Sequence, residues 1–421
     1  MNKIAEAYVK LVLEIGLYDE DYVDAYYGPK EWRTKLAEKQ EPFPFDQLNS
    51  RVVELIDQLN SLKSDSLESF EKQRQAALGK QLKAVQAKIE MLSGRKFSFD
   101  EESERLYDAV APINNETYFK KLLTKIEDAL PGNGPIADRF NRFNENFIIP
   151  KDKLDSVFKA AIKECSRRTH QHITLPEHES FTVAYVTNKV WTAYNWYKGN
   201  SHSLIELNTD LPSYIDRAID LAAHEGYPGH HVYNVLLENK LFLGLGWMEY
   251  SVYPLFSPQS LIAEGTANYG IKITFPENER HCFEKEVLFP LAGLDAEQVE
   301  RYYEIISLKH GLDYATNEAA RNYQDGRFSD DDVVEWLVLY TLATPERAKK
   351  MISFFEYAGS YVINYNLGED IIKAYVESKV NIAEDRQKTW KVFANILSTP
   401  QTPSALIKAT NFRSCEPRFL P

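Results

Sequence analysis

The chain has 421 residues, more than a single hydrophobic core usually serves, so two subdomains or one large helical body are expected. Its net charge of −13 argues against nucleic acid and against an anionic membrane as partners, because phosphates are bound through Lys and Arg. Cys165, Cys282 and Cys415 stand far apart and form no C-x-x-C pair, which argues against a disulfide framework or a zinc knuckle.

The N-terminus is charged and amphipathic, without a small-residue cleavage site, and no apolar run reaches the ~18 residues that a membrane span needs. We therefore expect no signal peptide, no membrane span and a cytoplasmic location. Residues 1–60 read as helices broken at Tyr27-Gly28-Pro29, with Ile4, Tyr8, Leu11, Val12 and Ile15 at helical spacing. The aromatic string Tyr18, Tyr22, Tyr26 and Tyr27 is expected to pack between helices rather than to line a pocket. A long helix with a solvated, charged face is predicted over 61–92, and another from Asp100 toward Ala111. Pro131-Gly132-Asn133-Gly134-Pro135 and Ile148-Ile149-Pro150 punctuate further helical stretches over 136–147 and 153–169. The His-bearing segment 167–172 reads as an exposed helix end.

The pattern changes over 180–208. Three short aromatic and β-branched runs, 181–186, 190–197 and 203–208, are separated by turns at Asn188-Lys189 and Lys198-Gly199-Asn200. They predict a small antiparallel sheet, with an edge strand that could hold a peptide backbone by strand addition. Helices return after it, starting near Pro258, Ser329 and Thr344, with later breaks at Gly368 and Pro400. The expected fold is mainly α with one minor sheet, divided into 1–175 and 176–421.

Directly after the sheet comes an apolar helical run over 214–223, followed by His224-Glu225-Gly226-Tyr227-Pro228-Gly229-His230-His231, which holds three of the nine histidines. Catalytic zinc is commonly held by two imidazoles and a carboxylate, with one position left for water. The usual H-E-x-x-H spacing puts both histidines on one helix face and makes the Glu a general base. Here the fifth position is Pro228, and the next histidine, His230, stands six residues after His224. On a regular helix that step turns about 120° away from the first ligand. Pro228 cannot donate to the carbonyl of His224 and Gly229 tolerates almost any backbone angle, so the pair can bulge the helix and swing His230 back. His231 returns to the same face but about 10 Å along the axis. The competing reading is a helix end decorated with solvated histidines.

The string His224 to His231 resembles the H-E-x-x-P-G-H-H signature of a widespread bacterial family, long known only as a domain of unknown function and grouped with the HExxH-type zinc peptidases. Its E-G-x-A-x-Y block is matched by Glu264-Gly265-Thr266-Ala267-Asn268-Tyr269 and its Y-x-x-G block by Tyr365-Asn366-Leu367-Gly368. Its Arg/Asp block is echoed by Arg321, Asp325 and Phe328-Ser329. The matches run in order over about the last 220 residues. The resemblance implies a zincin-like fold of the gluzincin plan, with one Zn2+ held by His224, His230 and Glu264. It also implies Glu225 as general base and Tyr365 as hydrogen-bond donor to the oxyanion, acting on small peptides. Where the family carries a histidine shortly before the third block this chain has none; His310 stands earlier, and a part for it or for His231 stays open. A hydrolase of another amide, such as an N-acyl amino acid, and a noncatalytic binding protein are the alternatives.

Overall fold

The computed structural model describes residues 1–34, 41–63, 67–189, 191–410 and 412; Val190 and Cys415 lie outside the described residues. In the first helix, Asn2–Ile15, the positions singled out by their spacing are the buried ones: Ile4, Tyr8, Leu11, Val12 and Ile15. Phe45–Asn60 likewise buries Leu48, Val52, Leu55 and Leu59, one apolar side chain per turn, against the long helix Ser69–Leu92. Each such fully buried Leu contributes about 1.5–3 kcal/mol. The long helix begins at Ser69 rather than near Ser61, because Glu68 and Glu71 form a capping box that satisfies its first backbone donors.

Five strands occur among the described residues: β1 (Val23–Tyr26), β2 (Ser180–Val186), β3 (Ala193–Gly199), β4 (His202–Asn208) and β5 (Val252–Pro254). Strand β1 replaces the helix expected before Tyr27. It pairs antiparallel with β5, a partner so distant in the chain that no local pattern announces it, and the register slips between Val23 and Ala25. Tyr22 is fully buried and Tyr18 packs edge-on against Phe43 at 4.9 Å, so these members of the aromatic string pack between elements.

The second sheet lies where the sequence places it, but its order is β2-β4-β3 and it is mixed. Strands β3 and β4 form the expected antiparallel hairpin, turning through Asn200 and Ser201, both at positive φ. Strand β2 instead joins β4 in parallel, which corrects the wholly antiparallel expectation. The reason lies in the connection after β2. The Asn188 N–H donates to Asp210 Oδ2, and Asn208 Nδ2 donates to the carbonyls of Lys189 and Trp191, so the segment folds over the end of β4 instead of reversing beside β2. The inner face of β4 buries Ser203, Ile205 and Leu207, and Ile205 and Leu207 form a small apolar cluster with Phe158 and Leu221. The outer side of β3 lies along β1, where Tyr194 OH donates to Asp24 and the rings of Tyr27 and Tyr197 meet at 5.3 Å.

Helix Pro258–Thr274 is buried on nearly every side and packs along helix Ile363–Lys379. The two meet at Gly265 and Gly368, where a Cβ on either would collide with backbone of the other helix. Gly368 therefore does not break its helix, as its composition suggested; it runs through the middle and lets a neighbour in. Buried apolar side chains from Ile4 to Leu406 make one continuous core. Among the described residues no helix is long and apolar enough to cross a membrane.

Candidate metal centre

The helix Asp216–Leu221, anchored by buried Ala218, Ile219 and Leu221, does not continue regularly into the histidine motif. It widens into a π-helical turn over Ala222–Gly226, in which the Tyr227 N–H reaches back to the Ala222 carbonyl at 3.1 Å. The Gly229 N–H then reaches the Ala223 carbonyl at 2.9 Å, across the cis Tyr227–Pro228 peptide. A Cβ at position 229 would lie 1.8 Å from the His224 carbonyl oxygen, so only glycine lets the chain pass here. A new helix, His230–Leu236, starts at once. This distortion brings the rings of His224 and His230 edge to face, with centroids 4.6 Å and Nε2 atoms 3.1 Å apart.

Glu264 enters from helix Pro258–Thr274. Its Oε2 lies 3.2 Å from His224 Nε2 and 3.6 Å from His230 Nε2, and the three candidate ligand atoms all lie within 4.8 Å of one another. The other oxygen, Oε1, accepts from Tyr361 OH at 2.8 Å, which fixes the carboxylate's orientation. Oε2 is buried and has no hydrogen-bond partner, a costly state for a carboxylate oxygen. Asn268, one turn after Glu264, settles the form of His224. Its Nδ2 donates to the Tyr365 carbonyl at 2.8 Å, so its Oδ1 faces His224 Nδ1, also at 2.8 Å, and must accept the proton there. In the neutral ring, Nε2 is then the atom left to bind, and it faces His230 Nε2 and Glu264 Oε2. An imidazole lone pair, a second imidazole and an orphaned carboxylate oxygen converging on one space fit a divalent cation, and His224, His230 and Glu264 could hold a metal ion.

The electrostatics agree. Burial alone would lower the pKa of His230, but Glu264, Glu225 and Asp24 push it up to about 9. Burial would raise that of Glu264, yet His230 and His224 hold it far below the usual carboxylate range. Both shifts describe one coupled pair, in which the His230 cation and the Glu264 carboxylate each favour the other's charged form, a balance that a bound cation would take over from the proton.

Glu225 is 5% exposed, and its backbone carbonyl is held by Asn195 Nδ2 of β3 at 2.7 Å. Its carboxylate has no hydrogen-bond partner among the described residues and is not sealed from solvent, so it is free to engage a water or a substrate. Tyr365 carries an accessible phenol beside the same group. Burial, then Glu264 and Glu225, raise its pKa well above the usual value, which keeps it a proton-bearing donor. Its ring lies 5.8 Å from that of Tyr361.

His231 points elsewhere. It is fully buried, with Nδ1 2.8 Å from Ser203 Oγ and Nε2 2.6 Å from Glu179 Oε2. His310 is exposed at the end of helix Val299–His310 and stands outside the ligand group. The third motif block is structural. Arg321 ties Asp100, Glu318 and the Ala111 carbonyl together, Asp325 accepts from the Phe99 N–H at the start of a helix, and Ser329 caps the next. Sequence reasoning missed Asn268, Tyr361, Asn195 and Asp24. Of these only Asn268 left a local signal, since it stands one helical turn from Glu264 inside a motif block.

No known protein-family profile matches the chain, and no curated protein matches it. Solved structures do. A protein of Colwellia psychrerythraea, provisionally named a lipoprotein, is similar in fold with a TM-score of 0.62 at 11% identity, over 96% of this chain and 97% of that one. The M32 carboxypeptidase of Deinococcus radiodurans R1 aligns with a TM-score of 0.43 at 12% identity, over 99% of this chain and 96% of that one.

Proposed function

We propose that this chain is a zinc-dependent metallohydrolase that cleaves short peptides. The observation that carries this reading is the buried, partnerless Oε2 of Glu264 facing the Nε2 atoms of His224 and His230, with the unpaired carboxylate of Glu225 alongside. Two imidazoles and one carboxylate are a common catalytic zinc set and leave a coordination position free. A zinc ion held there would supply Lewis acidity to the scissile carbonyl and to a water.

The remaining chemistry belongs to the chain. Glu225 accepts the attacking water's proton and delivers it to the leaving amine. The Tyr365 phenol, kept protonated by its surroundings, donates to the oxygen that becomes negative in the tetrahedral transition state. Asn268 keeps a proton on His224 Nδ1, and Tyr361 keeps Glu264 turned toward the histidines. The test is the Glu225→Gln variant of the zinc-loaded protein. It is expected to retain one zinc per chain while hydrolysis of a mixed dipeptide and tripeptide panel falls by about 10²–10⁴-fold. Full activity in the variant, or a purified protein that binds no zinc, would overturn the proposal.

A further inference from the structure

Asp24 sits in β1 at the one point where the ladder with β5 slips: Val23 faces Pro254 and Ala25 faces Tyr253, so Asp24 is the extra, unpaired residue of a bulge. A bulge re-aims the side chain it carries. Here the carboxylate is turned away from its own sheet and across to β3, where the Tyr194 hydroxyl donates to Oδ1. The other oxygen, Oδ2, has no partner among the described residues and is not sealed from solvent. No Lys or Arg pairs with Asp24 among the described residues, whereas Glu249, Asp220 and Glu318, carboxylates of similar or greater burial, each have an arginine. The charges that act on Asp24 are those of the candidate centre: His230, Glu264 and Glu225.

A bulge and a tyrosine therefore hold an acceptor that no Lys or Arg pairs with among the described residues, and the residue after that tyrosine, Asn195, holds the backbone of Glu225. Burial works against the charge of Asp24 and outweighs the Tyr194 hydrogen bond and His230, which favour it, while Glu264 and Glu225 add to the burial cost. A further positive group on Oδ2 would complete the acceptor. Zinc held by His224, His230 and Glu264 would leave Oδ2 of Asp24 open, since Asp24 is outside that ligand group.

We propose that Asp24, positioned by Tyr194, is the specificity subsite that receives a substrate ammonium group, the N-terminal amine of a short peptide, so that the chain acts as an aminopeptidase. This rests on the peptidase reading above and adds to it the end from which the substrate is bound. An ammonium donates to Oδ2 and fixes the first residue beside the centre, presenting the first peptide bond to Glu225.

The test reads binding, so that it does not depend on turnover. Zinc-loaded Glu225→Gln protein, with and without Asp24→Asn, is titrated calorimetrically with leucyl-phenylalanine, N-acetyl-leucyl-phenylalanine and N-acetyl-lysyl-phenylalanine. Asp24→Asn is expected to weaken the free-amine peptide about tenfold and to leave the acetylated leucyl peptide unchanged. Tyr194→Phe is expected to shift the same selectivity in the same direction by less. A loss confined to the acetylated lysyl peptide would overturn the aminopeptidase assignment, because Asp24 would then bind a side-chain ammonium and not the N-terminal amine. Equal effects on all three peptides, no binding of the free-amine peptide to the parent, or loss of zinc from Asp24→Asn would overturn the inference. Hydrolysis with Glu225 intact is scored separately, so the peptidase reading stands or falls on its own.

Discussion

The backbone of Gly265 rests on the backbone of Gly368: a Cβ on Gly265 would lie 2.4 Å from the Gly368 carbonyl, and one on Gly368 2.8 Å from the Leu261 carbonyl. This contact sets the distance between the helix that carries Glu264 and Asn268 and the helix that carries Tyr365, with Tyr361 in the turn just before it. Neither clash can be relieved by a side chain moving aside, so an added methyl must push the helices apart. Gly265→Ala is expected to cost about 1–3 kcal/mol in thermal denaturation and to weaken zinc binding as well, because Tyr361 and the Tyr365 carbonyl withdraw together. A variant that melts lower but binds zinc as the parent does would show that the helix spacing does not govern the site.

Asn268 is the link by which that spacing reaches a ligand. It donates to the Tyr365 carbonyl and accepts from His224, so it passes the position of one helix to the tautomer of a histidine on another element. Asn268→Leu is expected to lower zinc affinity about 10–100-fold in chelator competition. Asn268→Asp, which keeps the acceptor, is expected to restore most of it. Equal losses in the two variants would mean that the donor bond to the Tyr365 carbonyl, which both lose, and not the acceptor at His224, sets the affinity.

The two tyrosines one turn apart divide their work. Tyr361 OH is committed to Glu264 Oε1, whereas the Tyr365 hydroxyl has no partner among the described residues. Tyr361→Phe is expected to act on zinc affinity. Tyr365→Phe is expected to leave zinc affinity unchanged and to lower kcat about 10²-fold, the usual cost of removing one oxyanion donor. Exchange of these two phenotypes would reverse the roles.

What could be read from the sequence follows a physical division. Pro228 and Gly229 report on the backbone, so the need for a distorted helix at that turn was legible, although the π-helical turn at Ala222–Gly226 that widens it was not. Glu264 and Gly368 were visible only through a family resemblance; taken alone, Gly368 reads as a helix break, because close approach of a second helix leaves no local mark. Tyr361 was hidden among 25 tyrosines, where composition says nothing about which phenol faces a carboxylate. Asp24 was hidden for a different reason. Its role depends on a β-bulge, and the bulge exists only when β1 meets β5 from the far side of the chain. The parallel pairing of β2 is non-local in the same way, since two side chains at the end of β4 decide it.

Glu179 gives the motif an acid-labile anchor. Its carboxylate gathers His231 at 2.6 Å, the Tyr227 hydroxyl at 2.9 Å and His170 at 3.2 Å, joining the two ends of the distorted turn to helix Leu154–His170. Burial by itself raises its pKa, but the hydrogen bond and charge of His231, then Tyr227 and His170, outweigh burial and hold the group below its ordinary 4.5. The folded state then binds fewer protons than the unfolded chain as pH drops through this range. The stabilisation is therefore complete above 4.5 and is lost as pH falls through the lower, folded value. Glu179→Gln is expected to melt lower at neutral pH, by about 2–3 kcal/mol for the charge-assisted bonds it loses. Its melting temperature is also expected to fall less steeply than the parent's once the pH passes below that value. Parallel acid limbs for the two proteins would show that some other carboxylate sets the acid limit of the fold.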